Sequence, residues 1–130
     1  MEKSTRLFLL RHGEVEEKYR YVFGGRIDMN LSPRGHKQAE HLAEHLRHTR
    51  LDAIYVSPLK RALQTAMPLL QNNGRTHVVH PGLREVDFGQ WTGLTWEEVA
   101  TRFGVRAFDW LRTLRNDQIP GAEPVSYTHL

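Results

Sequence analysis

Cysteine is absent from the 130-residue chain, which excludes disulfide bonds, thiolate metal sites and a cysteine nucleophile. No apolar segment is longer than Leu7–Leu10, and this run is too short for a signal-peptide core or a membrane span. A large excess of one charge is also lacking, because 18 Lys and Arg residues are interleaved with 15 Asp and Glu residues. The net charge of +3 favours anionic ligands mildly and does not call for nucleic acid. We therefore expect a cytoplasmic protein without nucleic-acid or membrane partners.

Hydrophobic residues make up 39% of the chain and charged residues 25%, which is typical of a soluble globular protein and not of a disordered one. The length suffices for one domain with a real core and is too short for two. The sequence contains no internal repeat, low-complexity tract or linker that would divide it.

The apolar run Leu7–Leu10 leads directly into Arg11, His12 and Gly13. A short unbroken apolar run predicts a strand buried on both faces, as in a parallel sheet covered by helices. Ligands of such sheets bind where strands end at the carboxyl edge. Arginine offers a planar fork for phosphate oxygens, histidine a nucleophilic nitrogen, and glycine a close approach of backbone amides. The segment is therefore a candidate anion site.

Two further strand–helix units are predicted. Ser32-Pro33 indicates a helix start, followed by a buried stripe at helical spacing: Ala39, Leu42, Ala43 and Leu46. Residues 52–56 predict a second strand. Ser57-Pro58 predicts the cap of the next helix, whose apolar stripe is Leu59, Ala62, Leu63, Ala66 and Leu70. Arg61 falls in the first turn of that helix, where a basic side chain would reinforce an anion site.

The first of these helices carries His41, His45 and His48 at spacings that bring them to one face. Histidines one turn apart can hold a metal, but glutamate and arginine share that side and no metal signature surrounds them. A solvated polar face is the favoured interpretation, and we expect no metal site.

Residues 76–80 predict a third strand, closed by Pro81. Glu85 and Asp87 follow among aromatic residues, and a carboxyl group partly desolvated by Phe88 and Trp91 would be suited to donate a proton. Thr95 opens a capping box for another helix. A last helix is predicted from three apolar residues: Phe108, Leu111 and Leu114.

Together these motifs resemble the histidine phosphatase superfamily, also called the phosphoglycerate mutase-like fold. The resemblance covers residues 6–123 and includes Arg11–Glu14, Ser57–Ala66 and Leu83–Gly93 in the family's order. A shorter pattern between the first two of these motifs comprises Asp28, Leu31, Gly35, Gln38 and Ala39. The implied fold is a three-layer α/β domain with a mostly parallel sheet and helices on both faces. Residues 96–118 would form a cap over the site.

The resemblance implies a role for each candidate site residue. His12 resembles the nucleophile that becomes phosphohistidine, and Arg11 and Arg61 resemble the pair that binds the phosphoryl oxygens. Glu85 resembles the general acid that protonates the leaving oxygen and then activates water. The arginines take the part that a metal plays elsewhere in phosphoryl transfer, so no cofactor is implied.

The sequence departs from the family pattern at three places. Val15 stands where many relatives have a hydroxyl residue, and it cannot donate to a phosphate oxygen. Lys18 replaces an asparagine, and it would attract an anionic substrate without the same fixed geometry. A second pocket histidine in a Ser-His-Gly context is absent, and His129 lacks the glycine and the preceding helix and strand to replace it.

We therefore expect an incomplete histidine phosphatase domain at residues 1–123 and an unrelated tail at residues 124–130, the last strand–helix portion of the fold being missing. The absent strand would leave the first strand with an unpaired edge. Losing one preorganised phosphate donor costs a factor of about 10²–10³ in rate. The 130-residue form is thus predicted to be weak, unstable or inactive.

The leading functional hypothesis is a phosphomonoesterase, a phosphoric monoester hydrolase of the histidine acid phosphatase type, acting on a small phosphorylated metabolite. The segments Arg11–Glu16, Tyr21–Asp28 and Leu83–Gly93 most resemble α-ribazole phosphatases. Two alternatives stay open: phosphoglycerate mutase-type transfer, and a non-catalytic phospho-ligand binding module, which the missing histidine suggests. The sequence names neither the substrate nor the oligomeric state.

Overall fold

Helices alternate with short parallel strands along the chain. The structure, a computed structural model, describes residues 3–105, 109–116 and 118–123. The regular elements are α1 (Pro33–His45), β1 (Tyr55–Val56), α2 (Lys60–Gln71), β2 (Val78–Val79), α3 (Trp96–Phe103) and α4 (Trp110–Arg115). Single 3₁₀ turns cover Glu17–Tyr19, Asn72–Gly74, Pro81–Leu83 and Gly89–Trp91.

Strands β1 and β2 pair in parallel, with Tyr55 opposite Val78 and Val56 opposite Val79. Helix α2 connects them, so this βαβ unit confirms the predicted α/β class. Both strands are shorter than the predicted ranges 52–56 and 76–80. Val56 is buried, whereas the other three strand residues are exposed, so helices do not cover both faces of this small sheet.

Leu7–Leu10 does not form the predicted buried strand. The exposed fractions of Leu7, Phe8, Leu9 and Leu10 are 75%, 40%, 85% and 50%. No backbone hydrogen bond joins these residues to another segment within the described part of the chain. A strand exists only through the ladder it makes with a neighbour, and an apolar run supplies no such partner by itself. The prediction is wrong for this reason.

The predicted start of α1 is confirmed. Ser32 is the N-cap residue, and its hydroxyl accepts from the Gly35 amide, while Pro33 occupies the first turn. Ala39, Ala43 and the C-cap residue Leu46 are buried as the periodicity predicted. Ala43 of α1 and the C-cap residue Leu46 pack against Leu69 of α2.

The start of α2 differs from the prediction of a Ser57-Pro58 cap. The N-cap residue is Leu59, which has no capping side chain, and the amide of Lys60 donates instead to Asp28 Oδ1 at 2.8 Å. Asp28 belongs to a loop 32 residues earlier in the chain. A cap supplied from such a distance leaves no signal in the sequence next to the helix.

The buried face of α2 also differs from the predicted apolar stripe. Arg61, Thr65, Leu69 and Leu70 are buried, and of these only Leu70 belonged to the predicted set. The other predicted positions are only half-buried. Leu69 faces α1, whereas Arg61 and Thr65 bond to backbone groups around the candidate site, so polar contacts determine part of this face.

An aromatic cluster forms the main core. Its buried members are Phe23, Phe88, Trp91, Val99 and Ile119. The 3₁₀ turn at residues 89–91 is held by the later segment 118–123, because the Gln90 amide donates to the Pro120 carbonyl at 2.8 Å. This core therefore fixes the segment after Glu85 against α3.

The predicted capping box of α3 is confirmed, since the side chains of Thr95 and Glu98 each accept from the other's backbone amide. Helix α4 lies where a last helix was predicted, although Phe108 lies outside the described residues. Residues 124–130, the predicted tail, also lie outside them. Within the described residues no helix has the length and apolar character that a membrane span requires.

Candidate active site

The four site residues predicted from the sequence line one cavity of about 270 Å³. Arg11 and His12 come from the segment before the first 3₁₀ turn, Arg61 from α2, and Glu85 from the segment after β2. The remaining lining residues are Val15, Tyr19, Arg20, Val22, Phe23, Gly24, Gly25, Met29, Phe88 and Trp96. Three guanidinium groups and an imidazole thus share the cavity with one carboxylate, which is a surplus of positive charge.

His12 is half-buried, and its Nδ1 lies 2.7 Å from the Gly13 carbonyl oxygen. A carbonyl oxygen only accepts, so Nδ1 carries the hydrogen and donates it. In the neutral ring the lone pair then resides on Nε2, because only one ring nitrogen is protonated. The local backbone therefore selects the tautomer in which Nε2 is the nucleophilic atom.

The backbone beside His12 is fixed by its contacts with α1 and α2. The Gly13 amide donates to Thr65 Oγ1 at 3.0 Å, and that hydroxyl donates to the Arg61 carbonyl at 2.7 Å. A side chain on Gly13 would lie 2.8 Å from the Gly35 carbonyl oxygen. Glycine at position 13 thus permits close packing on α1. The sequence suggested that its amide would approach a ligand, whereas in the structure the amide donates to Thr65.

Arg61 is only 4% exposed, and its guanidinium is oriented by two backbone carbonyls. Nη2 donates to Gly25 at 2.6 Å, and Nη1 donates to Ile27 at 2.9 Å. Burial lowers the pKa of Arg61 below its ordinary value, while the charges of Glu85 and Asp28 raise it in part. Arginine stays protonated at neutral pH, so the site holds a preorganised buried cation.

Arg11 and Glu85, in contrast, are exposed. The Glu85 carboxylate accepts from the Val86 amide at 3.0 Å, and the backbone carbonyl of Glu85 accepts from Arg26 Nε at 3.1 Å. Phe88 is buried beneath this segment, but it does not desolvate Glu85 as the sequence suggested. Phe88 belongs to the aromatic core and also lines the cavity.

Of two departures from the family pattern, Val15 and Lys18, only Val15 lines the cavity. Val15 brings no donor. Lys18 is not among the lining residues, and its Nζ lies 4.9 Å from the centre of the Tyr19 ring. The attraction of an anionic substrate by Lys18 stays a prediction. Arg20, which sequence reasoning missed, does line the cavity.

The three histidines predicted on the first helix do not line this cavity, and His48 lies in the turn after α1. His41, His45 and His48 are exposed. Among the residues that the structure describes, no group of three metal-ligating side chains is close enough to hold an ion.

Comparisons with known proteins give a consistent result. The family model described as "Histidine phosphatase superfamily (branch 1)" matches residues 7–129. Phosphoserine phosphatase 1 of Hydrogenobacter thermophilus is 33% identical over 122 residues, which are 94% of this chain and 58% of that protein. The domain boundary predicted at Glu123 stays a prediction, and the family match extends past it.

Solved structures agree with the fold. The native structure of mycobacterial glucosyl-3-phosphoglycerate phosphatase superimposes with a TM-score of 0.77 at 30% identity, covering 87% of this chain and 53% of that one. A putative α-ribazole-5'-P phosphatase from Escherichia coli gives a TM-score of 0.79 at 24% identity, covering 92% and 59%, and supports the fold alone. The chain thus spans a little over half the length of these relatives. With ordered motifs, fold and family model in agreement, the chain belongs to the histidine phosphatase superfamily.

Proposed function

We propose that the protein is a phosphomonoesterase that acts on a small phosphorylated metabolite through a phosphohistidine on His12. The observation that carries the proposal is the convergence of Arg11, His12, Arg61 and Glu85, from three separate segments, on one cavity. The relatives compared above bear names of phosphatases, which supports hydrolysis as the outcome. A cytoplasmic location stays a prediction from the sequence.

In the proposed first step, Nε2 of His12 attacks the phosphorus atom in line with the ester oxygen. The nitrogen–phosphorus bond forms as the bond to the leaving oxygen breaks, and Glu85 gives that oxygen a proton. Arg61 and Arg11 bind the equatorial oxygens, whose charge is spread in the transition state. The Nδ1 hydrogen bond to Gly13 stabilises the positive charge that develops on the ring.

In the second step, Glu85 accepts a proton from water, and the water oxygen attacks the phosphorus atom. The bond to Nε2 breaks, which releases inorganic phosphate and restores neutral His12. Arg61 is buried and oriented by two backbone carbonyls. Arg11 and Glu85 are exposed, and each of them follows an exposed segment of the chain. Because two of the four groups lack rigid support, turnover of the 130-residue chain is predicted to be slow.

The test is release of inorganic phosphate from p-nitrophenyl phosphate, O-phosphoserine and 3-phosphoglycerate. We expect release that His12→Ala abolishes and that His41→Ala, an exposed histidine on α1, leaves unchanged. Conversion of 3-phosphoglycerate to its isomer without free phosphate would instead indicate a mutase. Binding of these compounds without any release would contradict the enzymatic proposal and favour a binding module.

A further inference from the structure

Arg20 is a cavity arginine that the proposed reaction does not use. Arg11, Arg20 and Arg61 all line the cavity, and the proposed reaction assigns the oxygens of the phosphoryl group to Arg11 and Arg61. Most of the other lining side chains are apolar or aromatic. Among the described residues that line the cavity, Glu85 is the only acidic one. The proposed reaction therefore leaves the guanidinium of Arg20 for another part of the substrate.

Contacts with the backbone and with α1 hold Arg20 in place. It follows the 3₁₀ turn Glu17–Tyr19, and its Nε donates to the Val15 carbonyl at 3.3 Å. Its Nη2 lies 3.4 Å from Glu14 Oε2, which also accepts from the hydroxyl of Ser32, the N-cap residue of α1, at 2.8 Å. These contacts connect the guanidinium, through Glu14, to the start of α1.

These contacts leave donors available for a ligand. A guanidinium has five N–H groups. Within the described part of the chain, the contacts of Arg20 use the N–H on Nε and one N–H on Nη2. Both hydrogens on Nη1 and the second hydrogen on Nη2 can therefore bind a ligand, and together they offer a fork from two nitrogens. The Glu14 contact does not cancel the charge, since both side chains are partly exposed, at 34% and 23%, and such pairs bind weakly.

The charge of this group indicates what it binds. Arg11 and Arg61 would match the two charges of a phosphoryl dianion, whereas Arg20 is a single cation already near one carboxylate. A ligand group with one negative charge and two coplanar oxygens fits it best, and a carboxylate has both properties. We propose that Arg20 determines specificity by binding a carboxylate on the leaving group of the phosphomonoester; this rests on the proposed function.

Calorimetric titration with three probes tests this inference. Inorganic phosphate contacts only the reactive part of the site, and 3-phosphoglycerate differs from glycerol 3-phosphate by a carboxylate in place of a hydroxymethyl group. The titrations use about 0.15 M salt, which screens distant charges beyond about 8 Å. The unsubstituted chain is expected to bind 3-phosphoglycerate about tenfold more tightly than glycerol 3-phosphate, which corresponds to a charge-assisted hydrogen-bond pair.

Arg20→Gln should remove this preference and leave the affinity for inorganic phosphate within about twofold, which also verifies that the variant is folded. Arg20→Lys should keep part of the preference, because it keeps the charge and loses the planar fork. The matched control is Arg50→Gln, since Arg50 pairs with Asp52 at the surface with a side chain 91% exposed. It should retain the full preference.

Equal affinity of the unsubstituted chain for the two esters would overturn the inference. An equal loss of affinity for all three probes in Arg20→Gln would also overturn it, because Arg20 would then only support the loop around Glu14. Failure of the unsubstituted chain to bind even inorganic phosphate would contradict the proposed function itself, and the inference with it. Phosphate binding without the carboxylate preference refutes the inference alone.

Discussion

Replacing Gly35 with alanine should destabilise the protein, although the same change usually stabilises a helix. Gly35 is the third residue of α1, and alanine has a helix propensity about 1 kcal/mol better than glycine. Here, however, the added methyl group would overlap the Glu14 carbonyl oxygen and would lie 3.0 and 3.1 Å from the Glu14 carbonyl carbon and amide nitrogen. The close approach of the two backbones therefore requires glycine.

The size of the effect follows from these contacts. Nonbonded heavy atoms settle at about 3.5 Å, so the methyl group and the Glu14 carbonyl oxygen must move apart by about 1.5 Å. The Glu14 carbonyl accepts from the Ser32 amide at 2.9 Å, and the neighbouring Gly13 amide donates to Thr65, so this movement strains both hydrogen bonds. Overpacking costs up to about 3 kcal/mol, and after the gain in propensity we expect a net loss of about 2 kcal/mol.

The same displacement should reduce activity, because His12 directly precedes the loop that moves. A misplacement of about 1 Å can lower the rate about 10²-fold. Urea unfolding followed by circular dichroism measures the stability, and phosphate release measures the activity. Lys37→Ala, at an exposed position of α1, is the control and should change stability by less than about 0.5 kcal/mol. A Gly35→Ala variant as stable as the parent would refute the reasoning.

Two further predictions concern contacts that the sequence did not reveal. Asp28→Ala removes the cap of α2 and should cost about 1 kcal/mol in urea unfolding, whereas Asp52→Ala, at an exposed ion pair, should cost less than about 0.5 kcal/mol. Gly89→Ala should cost about 3 kcal/mol, because φ is 56° and the methyl group would overlap the backbone of residues 120–122. Gly104→Ala has a φ of 67° but no atom within 4 Å, so it should cost only about 1 kcal/mol. If Asp28→Ala and Asp52→Ala cost the same stability, Asp28 does not cap α2. If Gly89→Ala and Gly104→Ala cost the same, the close contact of Gly89 with residues 120–122 is contradicted.

Two predictions that depend on interacting groups close together in the chain were correct. Ser32-Pro33 and the Thr95 capping box gave the starts of α1 and α3, because the capping groups lie three residues apart. The alternation of strands and helices likewise indicated the α/β class. The position of Arg61 after a predicted strand favoured a place at the anion site. The roles of Arg61 and Glu85 beside His12, in contrast, came from the resemblance to a known family.

The wrong predictions all depend on partners distant in the chain. An apolar run at Leu7–Leu10 fits a buried strand, but its composition does not say which segment pairs with it. Asp28 caps a helix that starts 32 residues later, and Gly13 is required by the backbone of α1. Arg20 was missed because a single arginine in a loop full of charged residues carries no periodic or motif signal.

The most direct test of the account is detection of a phosphoryl group on His12. The chain is mixed with p-nitrophenyl phosphate, quenched rapidly in alkali, which preserves phosphohistidine, and mapped by peptide mass spectrometry. A trapped intermediate is measurable even where turnover is slow. The account predicts phosphorylation at His12 that is retained in His41→Ala and missing from His12→Ala. Release of phosphate with no phosphoryl group on His12, or with phosphorylation at another residue, would contradict it.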